Sequence, residues 1–393
     1  MGNKPILVRV TTVDISLWKL LEGQLSFMSE YFDVYGVSSP GDKLDVVASR
    51  ENIKIYPIHM TRGISPLGDL VSIWKMYKYF KYIKPTIVHS HTPKAGLVAM
   101  LAGMLAKVPI KVHTIAGLPL ESRTGIKRRI LSVVEKVVYH FADKVYPNSN
   151  GLKEFVLKGN LCPSNKLKII GKGSSNGIDL DHFKKTEAVQ EEGYKSRKNL
   201  GISENDFVFL FIGRIVKDKG IEQLAVAFDK IQKSRKDVKL VLLGRKEDHL
   251  DPISQEANQI MDTNNHIIYT GYQLDIRPYL ALADCFVFPT FREGLPNVLL
   301  QACAFNLPII ASKVTGNTDI IVEGVNGLLF EAGNSDSLLE KMQIILNNDK
   351  VRDSLAIDSR RLVKEKYNRN FVWQSILSEY KSLLNEARLP YFT

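Results

Sequence analysis

In FLFIGRIVKDKG (209–220) an apolar run ends at Gly213, Arg214 follows, and Lys219 comes five residues later. Two cations beside a strand-to-helix turn make an anion site, because the helix start offers unpaired N–H groups and the positive end of its dipole. Diphosphate suits such a site: an arginine forks two oxygens and a lysine supplies a point charge. The alternative is a surface loop with incidental charges. A second stretch, PTFREGLPNVLLQACA (289–304), places Glu293 on a Gly/Pro-rich loop and Gln301 eight residues later, on the helix that Pro296 begins. Backbone N–H groups along Gly294, Leu295 and Asn297 could hold a phosphate or a hydroxyl. Glu293 could accept from sugar hydroxyls, and Gln301 could reach a ribose. Otherwise Glu293 caps the helix and Gln301 is a buried polar residue.

These residues need elements to position them. Runs at 6–10, 32–38, 53–58, 86–91, 109–114, 144–149 and 166–171 read as strands, with helical stretches at about 15–30, 67–83, 94–107 and 125–141. After 173–203, rich in turn formers and charge, the rhythm restarts. Strands are expected at 207–213, 238–244, 266–271, 285–290 and 307–312, and helices at 219–235, 253–262, 296–305, 335–347, 350–366 and 371–387. Strands alternating with helices argue βαβ units and parallel sheets. The fold class expected is α/β, with two doubly wound, Rossmann-like domains facing a cleft. The division expected is 1–183, a linker over 184–204, 205–370, and a C-terminal helix and tail over 371–393, the helix being a candidate to cross back to the first domain. Ligands of such sheets bind beyond the carboxyl ends of the strands. That adds Gly244, Gly271 and Tyr272 to the candidate ligand contacts.

The chain has 393 residues, 45% apolar and 24% charged, which suits two or three globular domains at about 150 residues each and excludes disordered and collagen-like classes. Cys162, Cys285 and Cys303 form no disulfide framework and no zinc spacing, which reads as a reducing compartment. MGNKPILVRV runs into a strand with no signal-peptide core. The longest uncharged apolar run, between Lys94 and Lys107, is 12 residues, short of the about 20 a spanning helix needs. Residues 1–190 carry 27 Lys+Arg against 15 Asp+Glu, so the whole +11 excess sits in the first half. Such an asymmetry suggests anionic lipid, nucleic acid or a phosphorylated substrate as partner. Lys75, Lys78, Lys81 and Lys84 recur every third residue among Trp74, Tyr77, Tyr79, Phe80 and Tyr82, as in a membrane-surface helix. Lys127, Arg128 and Arg129 stand at a helix start, where cations oppose the dipole and need an anionic partner or solvation. The plain alternative is a solvated face over an aromatic core stripe. Leu17, Trp18, Leu20 and Leu21 form a further apolar cluster, for lipid or for the core.

Gly213-Arg214 with Lys219-Gly220, together with REGLPNVLLQA, resembles the family 4 retaining glycosyltransferases of GT-B fold. NGIDLDHF (176–183) resembles that family's interdomain signature. IVHSHTPKAGLVAMLAGMLAKVPIKVHTIAGLP (87–119) resembles bacterial members that build capsular or other surface polysaccharides. The resemblance runs from about residue 5 to 388. It implies a donor nucleotide-sugar, usually a UDP-sugar, held mainly by the second domain. Arg214 and Lys219 match the pair that neutralises the leaving diphosphate, and Glu293 matches the first carboxylate of the family's E-x7-E motif. Gln301 stands where the second Glu usually holds the ribose. His113 matches the family's histidine near the reacting sugar, with His91 a competitor. Many members have a Gly-Gly loop after the first strand; this chain has TTVDISLWKLLEGQ there. Asp179 and Asp181 spell D-x-D inside the interdomain signature and read as structural. No cofactor is implied, and no metal is needed if Arg214 and Lys219 neutralise the diphosphate.

The activity expected is hexosyl or N-acetylhexosaminyl transfer from a UDP-sugar to a lipid-linked saccharide at the inner face of the cytoplasmic membrane. The basic half, with Trp18, Lys75, Lys78, Lys81, Lys127, Arg128 and Arg129, would meet anionic lipid. A UDP-sugar epimerase of the same fold would need no such half. A nucleic-acid-binding protein is opposed by the lack of a binding module and by the spread of the basic residues. An NAD-dependent enzyme is opposed by the lack of G-x-G-x-x-G after the first strand.

Overall fold

The computed structural model describes residues 4–389 except 62, 64, 123 and 248–250. The chain forms two compact units, one running through Gly177 and resuming at Arg369, the other Ile178–Asn368.

The first unit holds strands β1 (Ile6–Val10), β2 (Asp33–Ser38), β3 (Lys54–Pro57), β4 (Ile87–Ser90), β5 (Ile110–Ile115) and β6 (Lys144–Pro147) in one sheet of order β3-β2-β1-β4-β5-β6. All its pairings are parallel. Successive residues of a strand point to opposite faces, so the two faces build separate cores. On one, Val8, Val10 and Val88 meet helices α4 (Pro66–Ile83), α5 (Pro93–Ala106) and α6 (Gly125–Phe141). On the other, Leu7, Ile87 and Val112 meet α1 (Asp14–Leu20), α2 (Gln24–Ser29) and α3 (Leu44–Glu51). α7 (Asn150–Lys158) follows β6.

Three sequence expectations need correction here. The helix expected over 15–30 is two, because Gly23 adopts a left-handed φ of 73° between them. KLKIIG (166–171) is no strand: only Leu167 bridges to β6, at Val145, after which the chain turns through left-handed Gly171, Gly173 and Ser174. Leu17 and Leu21 are fully buried core, and Trp18 lies half-buried on α1 beneath the ammonium groups of Lys19 and Lys43. α1 and α3 pack together on the face opposite α4–α6, so Trp18 does not belong with the basic helices.

The second unit opens with Ile178 and Leu180 in its core. The expected linker over 184–204 is instead largely helix α8 (Glu187–Asn199), started by a Thr186 cap on Val189 N–H. The sheet has order β12-β11-β10-β7-β8-β9, all parallel, with β7 (Phe207–Ile212), β8 (Val238–Leu243), β9 (Ile267–Gly271), β10 (Cys285–Phe288), β11 (Ile309–Ser312) and β12 (Gly327–Phe330). β12 had no place in the sequence reading. Helices α9 (Ile221–Ser234), α10 (Gln255–Thr263), α11 (Arg277–Leu282), α12 (Asn297–Ala304), α13 (Asn317–Ile320), α14 (Ser335–Asn347) and α15 (Asp349–Tyr367) complete it. α8 packs on α11, where a Cβ on Gly193 would meet that of Ala281 at 2.9 Å. Asp179 caps the turn that follows it, accepting from Asp181 N–H at 3.1 Å and His182 N–H at 2.9 Å.

The last helix, α16 (Arg369–Glu386), belongs to the first unit. Val372, Ile376, Tyr380 and Leu384 recur every fourth residue and are buried against the α1–α3 core. Trp373 donates to Asn176 Oδ1 at 2.6 Å.

Glu135 of α6 is 3% exposed, and burial raises its carboxyl from 4.5 to about 7. A group whose folded pKa exceeds its unfolded one gives its full stability below the unfolded value and loses it as pH rises through the folded one. Urea melts of the wild type should therefore show stability falling by up to ~3 kcal/mol between pH 4.5 and 7 from this group. Glu135→Gln should flatten that fall.

Candidate functional site

In the second unit the chain starts in the middle of the sheet, builds β8 and β9 to one side, and returns for β10, β11 and β12 on the other. The strand order therefore reverses between β7 and β10, the place where such sheets bind ligands. Lys219 follows β7 and Glu293 follows β10, so the reversal brings together residues 74 apart in sequence. Lys219 Nζ donates to Glu293 Oε1, with side chains only 15% and 16% exposed. Thr290 Oγ1 also donates to Glu293 Oε1, at 3.3 Å. Lys219 Nζ stands 5.7 Å from the ring centre of Phe288.

Lys219 does not open the helix as expected. It closes a 3-10 turn, Lys217–Lys219, and left-handed Gly220 (φ 71°) leads into α9. A Cβ on Gly220 would lie 2.0 Å from Pro289 O, so only glycine lets the two loops approach. Phe291 N–H donates to Asp218 O at 3.0 Å and fastens them. Gly316, left-handed at 82°, lies against the same loop, where a Cβ would meet Gly294 O at 2.7 Å.

Arg214 leaves β7 beside the end of β8. Ile215 N–H donates to Arg245 O at 2.8 Å, and Ile215 bridges to Lys246. Gly244 is needed there, since a Cβ would fall 1.6 Å from Gly213 O. Arg214 Nη1 donates to Glu247 Oε2 at 2.9 Å. Arg292 pairs with Asp218 at 2.9 Å. Gly271 ends β9, and Tyr272, exposed, faces the Arg245 guanidinium at 4.5 Å. α12 begins at Asn297 with Pro296 at its N-cap and no capping side chain; Leu299 N–H donates back to Pro296 O at 3.1 Å, which leaves the N–H groups of Asn297 and Val298 at the helix start. Gln301 is half-buried on α12, and its amide hydrogen-bonds to no other described residue.

The structure thus gathers Gly213, Arg214, Lys219, Glu293, Gly294, Leu295, Pro296 and Asn297 at one end of one sheet. Gly244, Gly271 and Tyr272 stand at neighbouring strand ends of the same edge. Sequence reasoning missed Asp218, Glu247 and Arg292. Arg292 precedes Glu293 in the loop already singled out, but Glu247 had no local signal.

His113 is placed differently. It is 2% exposed, beneath α5, where a Cβ on Gly96 would meet its Cε1 at 2.7 Å. Its Nδ1 shares a hydrogen bond with Ser90 Oγ at 2.8 Å, and burial holds the ring neutral, its pKa pushed down to about 3. It is a packed, neutral group. His91, 1% exposed, points to the opposite face, where Arg9 donates to its Nε2 from Nη2 at 2.8 Å and from Nε at 3.1 Å. Burial and the Arg9 charge hold His91 neutral too.

On the first unit's other face α4 packs on α5 and α5 on α6. The leading halves of α4 and α6 expose Leu67 (80%), Leu70, Val71 and Trp74, and Ile126 (75%), Ile130 and Val133. Lys75, Lys78, Lys81, Lys127, Arg128 and Arg129 are exposed beside them, Lys78 Nζ lying 3.9 Å from the Trp74 ring centre. Tyr79 and Phe80 are the buried part of the aromatic stripe. Among the described residues no helix is long and apolar enough to cross a membrane.

Residues 194–362 match the sequence family Glycosyl transferases group 1, and residues 33–173 match the Glycosyl transferase 4-like domain. The chain is 33% identical over 388 residues to the capsular polysaccharide biosynthesis glycosyltransferase CapM of Staphylococcus aureus, covering 98% of this chain and 99% of that protein. It is 28% identical to the UDP-Gal:alpha-D-GlcNAc-diphosphoundecaprenol alpha-1,3-galactosyltransferase of Escherichia coli, covering 93% and 91%. Among solved structures, Anabaena Alr3699/HepE in complex with UDP and glucose superposes with a TM-score of 0.80 at 18% identity, covering 96% of this chain and 100% of that one. At that identity the likeness shows the fold.

Proposed function

The chain belongs to the group 1, family 4-like glycosyltransferases of GT-B fold, and from that membership we propose that it moves a sugar from a UDP-sugar to a hydroxyl of a lipid-linked saccharide, with retention of anomeric configuration, in capsule or other surface polysaccharide synthesis. The observation that carries this reading is the Lys219–Glu293 pair at the strand-order reversal, with Arg214 at the exit of the same strand β7. The relatives' names support the donor and acceptor classes: one uses UDP-Gal on a diphosphoundecaprenol-linked sugar, and one acts in capsule synthesis.

In this reading charge develops on the departing β-phosphate as the sugar takes on oxocarbenium character. Arg214, Lys219 and the uncapped start of α12 stabilise that charge. Glu293 accepts from hydroxyls of the donor sugar, and Gln301 offers one amide oxygen to the ribose. Because two side-chain cations neutralise the diphosphate, transfer should continue in excess EDTA, and activity lost there and restored by a divalent cation would count against it.

The test is a thermal-shift screen of UDP- and GDP-sugars followed by mass spectrometry of products on lipid-linked acceptors. The expected result is stabilisation by a UDP-sugar and one added sugar mass. No stabilisation by any nucleotide-sugar would defeat the reading.

The α4–α6 face supports docking on an anionic membrane. Apolar side chains dip into the interface while lysines and arginines meet lipid headgroups, each cation contributing about 1 kcal/mol near the surface. Lys127→Glu/Arg128→Glu/Arg129→Glu should cut co-sedimentation with anionic vesicles at low salt by about tenfold or more. Wild-type protein that ignores such vesicles would refute the docking.

A further inference from the structure

Three of the cations at the carboxyl end of the second unit's sheet are each matched by a carboxylate: Lys219 by Glu293, Arg292 by Asp218, Arg214 by Glu247. The carboxylates are not alike. Glu293 also accepts from Thr290. The Asp218 carboxylate, like that of Glu247, has only its arginine among the described residues, but its pair is the less exposed, 26% and 19%, and its main-chain oxygen accepts from Phe291 N–H. The Glu247 side chain accepts from Arg214 and, among the described residues, from nothing else.

Elsewhere in this chain several carboxylates that fasten structure accept from backbone N–H groups, while others, Asp69 and Glu379, are held by side chains within the core. Glu51 takes Gly23 at 2.9 Å and Ser26 at 3.0 Å, Asp284 takes Val208 at 2.8 Å, and Asp251 takes Asp218 at 2.7 Å. Glu247 has neither a backbone donor nor a core position, and among the described residues it holds only the guanidinium.

We propose that Glu247 is a placeholder anion, which holds Arg214 while no nucleotide is bound and yields it to the diphosphate of the arriving nucleoside diphosphate. The inference rests on the reading of this edge as a nucleotide-sugar site. The exchange is easy because the pair is partly exposed, 44% for Arg214 and 24% for Glu247, and pairs of that kind hold weakly. The diphosphate offers more charge and two oxygens to the fork. After the exchange Glu247 stays close, because the Ile215–Lys246 bridge ties its loop to that of Arg214. Its charge then opposes the bound anion. The consequence is a site that discourages free phosphate and releases its nucleoside diphosphate product. Glu247 is a positioning residue that acts through Arg214.

Calorimetric titration of wild type, Glu247→Gln and Glu247→Asp with UDP, and with uridine as the uncharged probe, tests this. Glu247→Gln should bind UDP about tenfold more tightly, since the like charge is gone. Glu247→Asp should bind it as the wild type does, and uridine affinity should be the same in all three. UDP binding in Glu247→Gln that is equal to or weaker than wild type overturns the inference, as does a change in uridine affinity, which would make Glu247 part of the base site's framework. Wild-type protein that binds no UDP would instead defeat the reading of the site, and this inference with it.

Discussion

Replacing Arg214 and Lys219 together by alanine should abolish sugar transfer while leaving the fold intact. Both sit on loops beyond strand ends, Arg214 exposed and Lys219 half-buried, so neither fills the core. Removing one donor aimed at developing charge costs about 10²–10³ in kcat, so the double variant should lose at least ~10⁴. The two single variants should not be equal. Arg214 is paired with a carboxylate that has no other partner among the described residues, and its loss leaves Glu247 free to turn to solvent. Lys219 neutralises Glu293, only 16% exposed, and its loss leaves a carboxylate uncompensated beside the departing phosphate. Lys219→Ala should therefore cost more than Arg214→Ala. The measurement is initial-rate transfer with the donor found in the screen, alongside a thermal melt. A double variant that melts like wild type and keeps more than about a tenth of its rate would remove the cationic cradle from the mechanism.

Gly220→Ala should be nearly as damaging, through the backbone alone. Alanine at φ 71° carries a penalty of about 1 kcal/mol, and its Cβ would lie 2.0 Å from Pro289 O. The obstructing atom is a main-chain oxygen, so no rotamer relieves it. The β10 loop must move, which breaks the Phe291–Asp218 hydrogen bond and draws Glu293 from Lys219. The expected losses are about 2–4 kcal/mol of second-unit stability and at least ~10² in transfer rate. Gly271 provides the control: its φ is 70°, but a Cβ there meets nothing within 4 Å. Gly271→Ala should cost only the backbone penalty, about 1 kcal/mol. Melting and transfer compared across the two variants decide the matter, and equal effects would show that the loop approach at Gly220 is not what places Lys219.

The alternation of strand and helix was legible because it is written in local patterns. FVFLFIG, VKLVLLG and CFVFPT are runs too apolar and β-rich for anything but buried parallel strands, and β7, β8 and β10 follow them closely. Arg214, Lys219 and Glu293 were legible for the same reason, each standing just past such a run. Short polar elements escaped. α8 is highly charged and draws its stability from packing on α11, a neighbour that its own residues do not announce. KLKIIG alternates like a strand, but the left-handed residues that follow turn it away after one bridge.

What no pattern in the chain could show is who faces whom. Lys219 meets Glu293, and Arg214 meets Glu247 33 residues away, only because β7 lies between β10 and β8 in the sheet. His113 lies within a strand, as the pattern of its neighbours says, and the alternation of side chains and the missing Cβ at Gly96 fold it under α5. Residue types and their local spacing settle which groups are present at the strand ends. Long-range strand order settles their partners, because an ion pair falls off with distance in space and is blind to distance along the chain.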